Sequence, residues 1–271
     1  MFGYCVAPGP FVASAFLGSA AGTALFAVSA SCINQIAERD LDAKMVRTRG
    51  RPLPSGALSV RQATGLGVAS SLAGTALLAA SSPPACVALG LANVLLYGFV
   101  YTPLKQRTTL NTPVGALVGA IPPVIGWVAG GGGADLGMAG LATLLYAWQM
   151  PHFHSLAFNL KEDYRRGNYK MLVLLHEERI PLNIALHTLA IAPLGALFAY
   201  QGVTDWSFAV TSLVPVAWFL YHVARFASHP QSHSHARAVF LTSVRFLPLY
   251  MLLLLLHHLW HERSENKKSA D

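Results

Sequence analysis

Asn34, Glu38 and Asp42 stand at i, i+4 and i+8. On a helix of 3.6 residues per turn, that spacing puts three oxygen-bearing side chains on one face over about two turns. Asp40 adds a carboxylate slightly off that face, and the cations Lys44, Arg47, Arg49, Arg51 and Arg61 follow. Hard oxygen donors beside guanidinium groups suit Mg²⁺ with a phosphate-rich ligand. The carboxylates would hold the metal, and the metal and the arginine forks would hold the phosphate oxygens. The plainer alternative is a solvated membrane loop under the positive-inside rule. It accounts for the cations but not for three ligands on one helical face.

A second charged segment runs Asn159-Leu-Lys161-Glu162-Asp163-Tyr164-Arg165-Arg166-Gly167-Asn168-Tyr169-Lys170-Met171-Leu172. Asn159 and Asp163 repeat the i, i+4 spacing. Two acidic-plus-basic segments at matching positions suggest a duplicated four-helix unit with one site between its halves. Incidental carboxylates in a polar loop are the alternative.

Just before it stands Trp148-Gln149-Met150-Pro151-His152-Phe153-His154. A neutral imidazole here could ligate haem iron, accept a proton or bond a propionate. The structural alternative is a histidine bonded to a carbonyl freed by the proline. His152 is the stronger site candidate and His154 the weaker. His229, His233 and His235 read as a polar loop, and His257, His258 and His261 as interfacial.

The elements that must position these groups follow from composition. The chain has 271 residues, 54% of them hydrophobic and 11% charged, where soluble domains carry about 25% charged residues. That defines an all-α, polytopic membrane protein, residues 1–260 forming one domain and 261–271 a polar, disordered tail. The spans read as 10–33, 62–82, 85–101, 112–129, 136–159, 181–200, 206–227 and 239–260. Gly18-x-x-x-Gly22 permits close helix packing, Gly115-x-x-x-Gly119 repeats the pattern, and Pro122-Pro123 marks a kink. Residues 1–9 have neither a basic n-region nor an Arg/Ser-rich transit pattern and read as the tail of an apolar segment.

The segments 34–62, 102–111, 160–180 and 225–237 hold six, two, five and two Lys/Arg, and the intervening turns hold none. The basic segments therefore share one face of the membrane. The net charge of +7 reflects these loops and an anionic ligand, not nucleic acid. Cys5, Cys32 and Cys86, with no CxxC, read as buried thiols.

The stretches NQIAERDLDAKMVRTRGRPL, YTPLKQRTTLNTPVGALVGAIPPVIGW and WQMPHFHSLAFNLKEDYRRGNYKML together resemble the protohaem IX farnesyltransferase family, a branch of the UbiA-type intramembrane prenyltransferases. The resemblance runs from about Ala7 to Leu256, and the PHFHSL wording is closer to mitochondrial members. It implies nine transmembrane helices with two aspartate-rich loops capping a cavity. Eight are read here, so a fragment or an inactive, shortened isoform is an alternative. Glu38 stands where the family more often has aspartate.

The resemblance further implies transfer of farnesyl from farnesyl diphosphate to a vinyl group of haem B, with addition of water, giving haem O, a precursor of haem A. Carried onto this sequence, Mg²⁺ is expected at Asn34, Glu38, Asp42 and Asp163. Diphosphate is expected at Lys44, Arg47, Arg51, Lys105 and Lys161. Tyr97, Tyr101 and Tyr164 would shield the allylic cation, and His152 and His154 would serve haem or proton transfer. The implied setting is the mitochondrial inner membrane with the basic loops in the matrix, and haem A synthase is the implied downstream partner. A prenyltransferase of a phenolic or quinone precursor would not need the PHFH block. A transporter would place unpaired charges near the bilayer midplane.

Overall fold

The computed structural model describes residues 1–268, and every regular element among them is helical. A short helix α1 (Phe2–Cys5) precedes α2 (Ala13–Asp42), α3 (Val60–Ser81) and α4 (Pro84–Leu95). A π-helical turn at Leu96–Tyr101 runs into α5 (Thr102–Leu104). Then come α6 (Asn111–Ala129), α7 (Leu136–Asn159), α8 (Lys161–Arg166) and α9 (Leu172–Leu175). The chain closes with α10 (Ile180–Leu189), α11 (Leu194–Tyr200), α12 (Ser207–Thr211), α13 (Leu213–Ser228) and α14 (His233–Lys268). Among the described residues, seven helical segments are long and apolar enough to cross a membrane. The eighth expected span, α7, has the length at 24 residues, but Gln149, His152 and His154 keep it too polar to count with them.

Local chemistry sets the boundaries. Ser59 and Gln62 form a reciprocal capping box at the start of α3, with Ser59 Oγ accepting from the Gln62 N–H and Gln62 Oε1 from the Ser59 N–H. Pro84 occupies the first turn of α4, where its missing N–H costs nothing. Asp135 caps α7 by accepting from the Met138 N–H at 2.9 Å.

The bundle has two packed regions. Phe26, Leu78, Cys86, Val94 and Ile125 form the smaller. The larger gathers Trp127, Leu141, Leu144, Phe198, Phe219, Phe226, Phe246 and Tyr250. Helices α2 and α3 lie in close contact because glycine faces glycine: a Cβ on Gly74 would stand 3.0 Å from the Gly22 carbonyl oxygen. Gly115 and Gly119 work differently. A Cβ on Gly115 would strike the Tyr101 ring at 2.6 Å, and one on Gly119 the Gln149 Oε1 at 1.9 Å. These glycines make room for side chains that line cavities.

Five expectations are corrected. Residues 34–42, read as the start of a loop, are the last turns of α2. The sixth span breaks between Leu189 and Leu194, around Pro193, and the seventh between Thr211 and Leu213. Helix α14 runs on through the polar tail to Lys268, where Ser264 bonds the Trp260 carbonyl and Lys268 pairs with Glu265; positions 269–271 lie outside the described residues. Cys32 and Cys86 are buried as expected, whereas Cys5 is half-buried.

Candidate active site

Helix α2 supplies the first wall. Its last three turns carry Asn34, Glu38 and Asp42 on one face, all buried. The π-helical turn brings Tyr97 and Tyr101 opposite them, and Lys105 follows at the end of α5. The extra residue per turn of π-helix rotates the residues beyond it relative to an uninterrupted α-helix. The second half of the chain adds Phe153 and Leu156 from α7, then Tyr164, Tyr169 and Met171. Together they line a cavity of about 240 Å³.

The polar groups of this cavity form a connected network. Asn34 Nδ2 donates to Glu38 Oε2 at 2.7 Å and to Thr102 Oγ1 at 3.1 Å. Lys105 Nζ donates to the same Glu38 oxygen at 2.9 Å and lies 4.6 Å from the Tyr101 ring centroid. Arg51 donates to Asp42 Oδ2 at 2.8 Å. Arg47 stands 5.8 Å above the Tyr164 ring. Burial lowers the Lys105 pKa, with Glu38 opposing the shift. Burial also raises the Tyr164 and Tyr169 pKa values, the nearby arginines opposing it at Tyr164 and Glu38 adding to it at Tyr169.

Two carboxylate oxygens remain. Glu38 Oε1 and Asp42 Oδ1 are buried and have no hydrogen-bond partner. An orphaned anionic oxygen is costly to bury. Two of them one helical turn apart, in a cavity that also holds Arg51 and Lys105, fit a hard divalent cation with an anionic ligand. Asn34, Glu38 and Asp42 are the residues that could hold such a cation.

Asp163 has a different immediate role. Its Oδ1 accepts from the Val46 N–H at 2.8 Å and its Oδ2 from the Arg47 N–H at 3.0 Å. It therefore pins the arginine-rich segment over the cavity, and it lines a neighbouring surface recess with Lys161 and Arg47. Lys161 pairs with Glu177 and Lys44 is exposed, so neither is among the cavity's lining residues. Arg47 lines both cavity and recess.

The two histidines diverge. Two residues on a helix turn through about 200°, so neighbours at i and i+2 face opposite ways. His152 lines a second cavity of about 130 Å³ that shares Tyr101 and Phe153 with the first. His154 is buried outside both cavities, beside Asn183 and His187 of α10. Sequence reasoning singled out neither Tyr169, Thr102 nor Gln149 as a site residue. The first two come into place through contacts distant in sequence. Gln149 had a local signal, since it stands three residues before His152 on the same helix face.

The UbiA prenyltransferase family profile matches residues 1–244. The chain is 40% identical over 253 residues to human "Protoheme IX farnesyltransferase, mitochondrial", covering 93% of this chain and 57% of that protein. It is 39% identical over 247 residues to the protein of the same name from Arabidopsis thaliana, covering 90% and 57%. It thus spans a little over half the length of these curated relatives. Among solved structures, digeranylgeranylglyceryl phosphate synthase superposes with a TM-score of 0.77 at 14% identity, over 95% of this chain and 90% of the other. A UbiA homologue from Archaeoglobus fulgidus bound to GPP and Mg²⁺ superposes at 0.64 with 17% identity, over 94% and 92%. At such identity these two speak for the fold alone.

The chain belongs to the UbiA prenyltransferase family.

Proposed function

We propose that this chain transfers the farnesyl group of farnesyl diphosphate to a vinyl group of haem B, with addition of water, to make haem O. The observation that carries the site reading is the pair of orphaned oxygens, Glu38 Oε1 and Asp42 Oδ1, beside Arg51 and Lys105. The choice of haem as acceptor rests on identity to the mitochondrial protohaem relatives over most of this chain.

The residues divide the work as follows. Asn34, Glu38 and Asp42 would hold Mg²⁺, which would supply Lewis-acid stabilisation of the diphosphate. Arg47, Arg51 and Lys105 bind diphosphate oxygens and stabilise the negative charge that builds as the C–O bond breaks. Asp163 keeps the Arg47 segment in place, and Lys161 lines the recess beside it. Tyr97, Tyr101 and Tyr164 offer ring faces to the allylic cation and exclude water from it. The vinyl carbon then attacks the cation, and the second cavity beside His152 takes part of the acceptor.

The mitochondrial relatives and the apolar helices support residence in a mitochondrial membrane. The proposal places it in the inner membrane with the basic segments in the matrix, handing product to haem A synthase. Purified protein in bilayers with Mg²⁺ and farnesyl diphosphate, offered haem B and a hydroxybenzoate quinone precursor side by side, tests the acceptor. Farnesylated haem with untouched hydroxybenzoate is expected. Prenylation of the hydroxybenzoate alone contradicts the proposal.

A further inference from the structure

The second cavity holds an imidazole fixed on three sides. His152 stacks on Trp148 with ring centroids 4.8 Å apart, and its ring centroid lies 5.0 Å from that of Phe240. Its Nδ1 is 2.9 Å from Ser243 Oγ. Ser243 Oγ is also 2.6 Å from the Phe240 carbonyl oxygen. A carbonyl cannot donate, and two oxygens approach that closely only with a proton between them. The one hydroxyl proton of Ser243 is therefore committed to Phe240. Ser243 must accept from His152, so Nδ1 carries the ring proton and Nε2 carries the lone pair. Trp148 Nε1 donates to the Ser243 carbonyl at 2.8 Å and holds the serine backbone in register.

Gln149 lies one turn away on the same face of α7 and lines the same cavity. Its Nε2 donates to the Ala116 and Leu145 carbonyls, both at 2.9 Å. Two carbonyl acceptors fix the amide orientation, which leaves Oε1 as a second acceptor. Both side chains line the small cavity, His152 Nε2 and Gln149 Oε1 are the acceptors these bonds leave free, and Tyr101 also lines the diphosphate cavity. A water molecule that gives one proton to each acceptor keeps its lone pairs for an electrophile.

We propose that His152 is the catalytic base for the hydration step, with Gln149 and Ser243 as positioning residues. This rests on the farnesyl transfer reading. After the vinyl carbon bonds to farnesyl, the adjacent carbon is a cation. Water forms a C–O bond to that carbon, its O–H bond breaks, and the proton passes to Nε2. The neutral imidazole becomes imidazolium, and no oxidant or reductant is needed. Without the base, the cation instead sheds a proton from a neighbouring carbon and leaves an adduct lighter by one water.

Mass spectrometry of the haem products tests this. His152→Phe keeps the aromatic stack but removes the lone pair. It should still release diphosphate and make a farnesyl adduct, with the ratio of hydrated to anhydrous product falling about a hundredfold. Ser243→Ala should fall part of the way and Ser243→Thr should restore it, which a merely structural serine would not show. Farnesyl diphosphate binding checks that each variant is folded. A wild-type hydrated fraction in His152→Phe overturns the assignment. Wild-type protein that makes no farnesyl adduct at all overturns the reading beneath it instead. If His152→Phe does not fold, ¹⁵N-histidine NMR of the wild type decides: a proton on Nδ1 that shifts in Ser243→Ala supports the assignment, and a proton on Nε2 overturns it.

Discussion

Lys105 Nζ lies 2.9 Å from Glu38 Oε2, joining residues 67 apart in sequence across the floor of the cavity. Both side chains are buried. Removing one charge strands the other, a loss of about 3–5 kcal/mol for a buried pair. Lys105→Met should therefore unfold well below wild type in detergent. The double variant Lys105→Met, Glu38→Met should recover most of that stability while remaining inactive. Thermal unfolding and turnover on the same samples separate the two effects, and a stable Lys105→Met would show that the pair is not coupled.

The same lysine sets an alkaline limit on ligand binding. Burial lowers its pKa, so the folded protein loses this positive charge at a lower pH than an exposed lysine would. Affinity for a non-hydrolysable farnesyl thiodiphosphate should be full on the acid side and fall early as pH rises. Lys105→Arg should carry the plateau further. Identical alkaline limbs for the two proteins would remove Lys105 from the diphosphate site.

Asp163 acts through backbone. Asp163→Asn can accept from only one of the Val46 and Arg47 N–H groups, and the other loses its partner at a cost of about 1–3 kcal/mol. The arginine-rich segment should loosen, with faster trypsin cleavage at Arg47 and Arg49. KM for farnesyl diphosphate should rise more than kcat falls. Unchanged cleavage and an unchanged KM would argue against the tether.

Gly119→Ala should raise helix propensity and still impair the enzyme. Its Cβ would meet Gln149 Oε1 at 1.9 Å, so the amide must leave its two carbonyl acceptors. Gly65→Ala, on α3 with open space above it, is the control. Activity should drop about tenfold or more in the first and stay near wild type in the second. Equal activities would mean that Gln149 has no role.

Much of this arrangement was legible in the chain because helical periodicity is local. The i, i+4, i+8 spacing of Asn34, Glu38 and Asp42 does place all three on one buried face. Which cation answers which carboxylate is set by tertiary packing. Lys105 reaches Glu38, Lys161 turns to Glu177, and Asp163 spends both oxygens on backbone. The π-helical turn that carries Tyr97 and Tyr101 has no signature in residue spacing. The opposite facing of His152 and His154 follows from helix geometry alone, but which one meets a cavity depends on α14 and α10.

Mass analysis of haem from wild-type protein and Asp42→Ala, each in bilayers with Mg²⁺, farnesyl diphosphate and haem B, tests the central claim most directly. The account predicts haem gaining farnesyl plus water with the wild type, and a loss of at least about a hundredfold in folded Asp42→Ala. Near-normal conversion by Asp42→Ala, or unmodified haem from folded wild type that binds farnesyl diphosphate, would contradict it.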